Sequence, residues 1–178
     1  HYDALEAELM LRDIAQCRAL GCDGVVIGAL DRQGDIDLPL CRALIQAAGP
    51  LQVTFHRAFD AARDLPAALE QVIALGCSRV LTSGGQASAA AGVDVLEGLV
   101  ARAAGRISVM AGAGLDPANI AAVARHSGCV ELHASAKSRR HSAMQFHNPA
   151  LRGLDPHWDQ TDAAIVAGLR RALDGDLS

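Results

Sequence analysis

Five short apolar runs recur along the chain at intervals of about 27 residues, each entered from a glycine or proline and left through small or polar residues. They read "ALGCDGVVIGALD" (19–31), "PLQVTFHRAFD" (50–60), "ALGCSRVLTSGG" (74–85), "GRISVMAGAG" (105–114) and "HSGCVELHASA" (126–136). Their β-branched content and brevity predict buried strands. Between them the apolar positions fall at helical spacing: Leu40, Leu44, Ile45 and Ala48; Leu65, Ala68, Leu69, Val72 and Ile73; Val93, Leu96, Leu99 and Val100; Ile120, Val123 and Ala124. Residues 5–20 and 162–173 predict flanking helices, the second with Thr161 as N-cap and Gly175 beyond its end. "ALGC" occurs twice, at 19–22 and 74–77, and "SGC" at 127–129 echoes it; in each, glycine ends a helix and a short turn feeds a strand.

The predicted order is therefore α(βα)5, the signature of a parallel α/β sheet, either a (β/α) barrel or a doubly wound sheet. No GxGxxG opens a helix, which favours the barrel over a dinucleotide-binding sheet. An eight-stranded TIM-type barrel needs roughly 215–250 residues. The expectation is a single α/β domain over residues 1–178, contributing strands four to eight and lacking about three N-terminal βα units. His1 in place of methionine, ahead of an immediate helical pattern, adds the expectation that a segment precedes it.

Composition sharpens this. At 51% hydrophobic and 3% aromatic, the core is built from Ala, Val, Leu and Ile, as expected where helices pack on parallel strands. A net charge of −4, with no basic run beyond "KSRRH", gives no footprint for nucleic acid or an anionic membrane surface. No stretch reaches the ~20 apolar residues of a membrane span. The expected partner is a small molecule, a metal ion or another protein. Cys17, Cys22, Cys41, Cys77 and Cys129 are odd in number and form no CxxC, which predicts free thiols in a reducing cytoplasm.

In a barrel, alternate strand residues face the lumen. Thr54 and His56 share one parity, as do Glu131, His133 and Ser135, while Val53, Phe55, Val130 and Leu132 have the other; the polar parity marks the lumen. His56 and His133 then stand near the C-terminal mouth, where barrel enzymes place their chemistry. Glu131 needs a partner if buried, and Arg57, His56 or His133 are the candidates. Arg57 is expected to turn over the rim and pair with Asp60 or an anion. Together His56, Arg57, Asp60, Glu131 and His133 form a candidate acid–base constellation, with a structural ion pair as the alternative for Glu131. The turns carrying Ser83, Gly84 and Gly85, then Gly112, Ala113 and Gly114, and finally Ser135, suit an anion, although a tight turn accounts for the same glycines. Asp116 and Pro117 fit an N-cap and first helical position. Residues 133–159 lack any apolar period and contain His141, His147 and His157 without zinc spacing, predicting a lid, a binding loop or a wrapping surface loop.

The phrases "GALDRQGDIDLP" (28–39), "AAGPLQVTFHRAFD" (47–60), "RVLTSGG" (79–85), "VMAGAGL" (109–115) and "ELHASA" (131–136) resemble the CutC family, named for copper homeostasis. The resemblance covers nearly the whole chain. It implies a cytoplasmic TIM-barrel protein, a homo-oligomer (dimer or tetramer), with copper as Cu(I) for a ligand. Cysteines proposed as the family's copper ligands lie on first strands that this sequence does not contain, so no residue here is assigned to metal. Two functions from different classes result: a Cu(I)-handling protein, and a barrel enzyme performing acid–base chemistry on a small anionic or phosphorylated molecule. A third is a scaffold for oligomeric display.

Overall fold

The computed structural model describes residues 1–175. Helix α1 (Ala4–Ala19) begins where Asp3 and Glu6 close a capping box, each side chain accepting the other's backbone N–H. Helices α2 (Leu38–Ala48) and α3 (Leu65–Ala74) open on the same triplet, Asp-Leu-Pro. Asp37 and Asp64 accept from the N–H groups of Leu40 and Ala67, and the proline stands where the helix has no use for its missing N–H. Helices α4 (Val93–Ala103), α5 (Ile120–Ser127) and α6 (Ala163–Asp174) complete the layer.

Strands β1 (Gly24–Ile27), β2 (Gln52–Phe55), β3 (Arg79–Thr82), β4 (Ser108–Gly112) and β5 (Glu131–His133) pair in parallel, in chain order, with β1 and β5 at the edges. One face carries Ile27, Val53, Phe55, Val80, Thr82, Val109 and Ala111, all buried. Leu44, Leu69, Val72, Leu96, Leu99, Ile120 and Val123 of the helices belong to the same core. Burying a side chain of this size contributes ~1.5–3 kcal/mol, so this face holds the sheet and helices together. The opposite parity, Val26, Thr54, Arg79, Leu81, Met110, Glu131 and His133, lies on the other face, where Val26 is 65% exposed. This is the face a closed barrel would turn inward. Among the described residues the sheet is open.

Two local expectations shift. A two-stranded antiparallel ribbon, β6 (Lys137–Arg140) with β7 (Trp158–Thr161), stands in the stretch without apolar period. Its strands bury no stripe; Arg139 pairs with Asp159 and Arg140 with Asp162, so hydrophobic spacing carries no sign of it. Thr161 is taken up by that ribbon, and Asp162 caps α6 instead, through the Ala164 N–H. Asp116 likewise accepts from Ala118 and Asn119 in a turn, and α5 starts only at Ile120.

Candidate functional site

At the C-terminal end of β2 the chain leaves the sheet through a single 3-10 turn, Arg57–Ala61, which His56 caps: its Nδ1 accepts the Ala58 N–H at 3.0 Å. A nitrogen that accepts carries no proton, so the neutral ring holds its hydrogen on Nε2. Burial pushes the His56 pKa below its ordinary value, which favours that neutral form. The ring lies over Gly28, where a Cβ would stand 2.5 Å from Nδ1; glycine is required there. His56 also lines a cavity of about 400 Å³ at the β1 edge, with Tyr2, Met10, Cys17, Val26 and Gly28.

The turn carries Arg57 over the rim onto Asp60, Nε to Oδ2 at 2.7 Å, while Nη2 donates to Ser83 Oγ at 2.9 Å. Asp60 Oδ1 accepts the Thr82 hydroxyl and the N–H groups of Ser83 and Gly85, both at 3.0 Å. Ser83 Oγ sends its one proton to the Gln86 carbonyl at 2.6 Å, and Gly84 donates to Thr82 Oγ1. Burial alone would raise the Asp60 pKa; the donors of Thr82, Arg57, Gly85 and Ser83 outweigh it and hold the carboxyl below its ordinary range. The backbone cradle expected to receive an outside anion at residues 83–85 thus already holds one, Asp60. Thr82 was not among the expected site residues, and its place on the apolar face hid it.

Glu131 takes none of its three expected partners. Arg79, the first residue of β3, reaches across β4 and grips both of its oxygens, Nη2 to Oε1 at 2.8 Å and Nε to Oε2, while Nη1 reaches Thr54 Oγ1 at 3.3 Å. The Arg79 hydrogen bonds hold the Glu131 pKa below its ordinary range. Alternation along 79–82 puts Arg79, the partner of Thr54 in register, on this same face. His133 is exposed on β5 beside Gly112, whose absent side chain would strike Leu81 Cδ1 at 2.7 Å. Ala113 and Gly114 follow with φ of 86° and 67°, and Ser135 accepts from the Thr161 hydroxyl at the foot of the ribbon. His56, Glu131 and His133 therefore share a face of the sheet. Three inter-strand steps, roughly 14 Å, separate β2 from β5, and the Arg79–Glu131 pair lies across the interval.

A model of the CutC family matches residues 1–138. The chain belongs to the CutC family. It is 51% identical over 172 residues to the family protein CutC of Xanthomonas axonopodis pv. citri, covering 97% of this chain and 72% of that one. Against the family protein CutC of Chromobacterium violaceum it is 49% identical over 178 residues, with the same coverage. Among solved structures it superposes on CutC from Streptococcus agalactiae, a protein named for copper homeostasis. There the TM-score is 0.72 and the identity 29%, over 74% of this chain and 65% of the other. The chain thus spans less than two thirds of that solved CutC. A native KDPGal structure matches at TM-score 0.58 and 15% identity over 94% of this chain and 66% of that one, which speaks for the fold alone. The CutC likeness agrees with the TIM-barrel-like α/β architecture expected from the repeat.

The family name raises copper, and the donor set can be tested against it. Cu(I) favours thiolate and thioether ligands. The rim offers neither: its side chains are His56, Arg57, Asp60, Thr82 and Ser83. Burial pushes the Cys41 thiol up to about 11 and Cys77 up to about 12, so both stay protonated at neutral pH. Among the described residues no three of His, Cys, Asp and Glu gather as a metal-holding group. The rim residues therefore do not fit Cu(I); the accessible thiols, Cys17 and Cys22, stand at the end of α1 instead. Nor, among them, is any helix long and apolar enough to cross a membrane.

Proposed function

We propose that the chain serves copper homeostasis, the process for which its family is named, by binding a small anionic molecule at the C-terminal rim rather than by caging Cu(I). The supporting observation is Arg57. Two of its N–H groups are committed to Asp60 and Ser83, its side chain is 44% exposed, and the remaining N–H groups are offered in a fixed fork. Asp60 is a positioning residue: its charge is spread over four donors, so it orients Arg57 without cancelling it. His56, neutral with its proton on Nε2, offers a second hydrogen-bond donor. Gly112, Ala113 and Gly114 keep the neighbouring turn low enough for backbone to approach the same ligand.

Titration calorimetry with inorganic phosphate tests the reading. Saturable binding is expected, weakened at least tenfold by Arg57→Gln. Equal phosphate affinity in parent and Arg57→Gln, or Cu(I) retained by the chain against bicinchoninate, would overturn it.

A further inference from the structure

Helices α1 and α3 end on the same four letters and the same backbone device. In α3, Gly76 takes φ 82°, its N–H donates to Ile73 O, and the N–H of Cys77 returns to Val72 O at 3.3 Å. In α1, Gly21 takes φ 74°, its N–H donates to Arg18 O, and the N–H of Cys22 returns to Cys17 O at 3.0 Å. This helix ending sets the side chain three residues before the cap against that of the second residue beyond it. In α3 the pair is Val72 and Cys77, both buried. In α1 the same two positions are both cysteine.

Cys17 and Cys22 are free thiols set against one another by this ending, Cys17 half-buried on the wall of the cavity at the β1 edge and Cys22 exposed. One carbonyl and one amide extend the 3.0 Å N···O contact by no more than about 4 Å, which keeps the two Cα atoms near the 4.4–6.8 Å that a disulfide spans. We propose that Cys17 and Cys22 form a reversible intramolecular disulfide by exchange with a small-molecule disulfide of the glutathione class. The exposed Cys22, as thiolate, attacks one sulfur of that disulfide; a mixed disulfide forms and one small thiolate leaves. Cys17 then gives its proton to solvent and attacks Cys22 Sγ, and the second small thiolate leaves. The two protein thiols lose two electrons and two protons, and the external disulfide is reduced to two thiols. The bridge closes the α1–β1 turn and removes the Cys17 thiol from the cavity wall. Cys41, Cys77 and Cys129 are buried and do not take part.

The full chain, equilibrated across a series of glutathione ratios, acid-quenched, alkylated and digested with trypsin, reads this out directly. Cleavage after Arg12, Arg18 and Arg32 separates peptides 13–18 and 19–32. The expected result is loss of alkylation at both cysteines and one cross-linked pair, two hydrogens lighter than its parts, restored to free thiols by excess reduced glutathione. Cys17→Ser should stop at a stable glutathione adduct on Cys22. A persistent adduct on Cys22 in the unsubstituted chain, full alkylation of both thiols at the most oxidising ratio, or cross-links through Cys41 or Cys77 in their place would overturn the proposal.

Discussion

Two arginine–carboxylate pairs stand on this sheet, and they are built for opposite ends. Arg79 and Glu131 meet side by side across β4, are similarly exposed, at 24% and 30%, and match two oxygens with two nitrogens. Each charge is spent on the other. At the rim, Asp60 is 9% exposed and Arg57 is 44% exposed, and the carboxylate is served by a hydroxyl and two backbone N–H groups before the arginine is counted. A carboxylate satisfied by its own loop leaves the arginine's charge available, whereas a mutual pair leaves none.

The largest effect should come from breaking the rim at its centre. Asp60→Ala strands the donors of Thr82 and Ser83, both fully buried, and should cost about 3 kcal/mol in urea unfolding. Glu131→Leu leaves Arg79 unpaired on a half-open face and should cost about 1–2 kcal/mol, while Arg79→Leu with Glu131→Leu should regain most of it. If the double variant is no more stable than either single one, the pair is not the closed unit described. Arg57→Gln should cost less than about 1 kcal/mol because the pair is surface-screened, yet lose phosphate binding at least tenfold; a stability loss equal to that of Asp60→Ala would erase the contrast.

The smallest effect is in pH. The folded pKa of His56 lies below its unfolded value of 6.5. Between the two values the unfolded chain binds more protons, so this contribution is complete above 6.5 and is lost as pH falls through the folded value. Asp60 and Glu131 are also depressed, from 3.8 and 4.5; their contributions are present above those values and are lost at still lower pH. His56→Asn should therefore flatten the urea midpoint against pH just below 6.5 and leave the acid limb unchanged.

Periodicity made the parallel strands and their covering helices legible, because each strand's apolar parity and each helix's stripe answer to the same core. It also made the shared face of Thr54, His56, Glu131 and His133 legible, since side chains alternate along a strand. Pairing across the sheet was beyond it. Arg79 and Glu131 are 52 positions apart, and their meeting depends on register, which no local pattern encodes. The filling of the 83–85 turn by Asp60 was hidden for a related reason: a glycine loop looks the same whether its N–H groups wait for a ligand or hold a side chain. The ribbon escaped because its pairing rests on backbone and charge.

The strand order 1-2-3-4-5 follows the chain, each parallel strand lying beside its predecessor with none skipped. Each interface in the sheet is therefore closed by one intervening segment, as when Gly24 meets Gln52 or Arg79 meets Ser108. Such a sheet is assembled by nearest neighbours: every unit contributes one seam to the unit before it and one to the unit after. Cooperativity in it should decay with distance along the chain, as in a linear array, and a defect in one seam should loosen its two flanking units before it reaches the far edge.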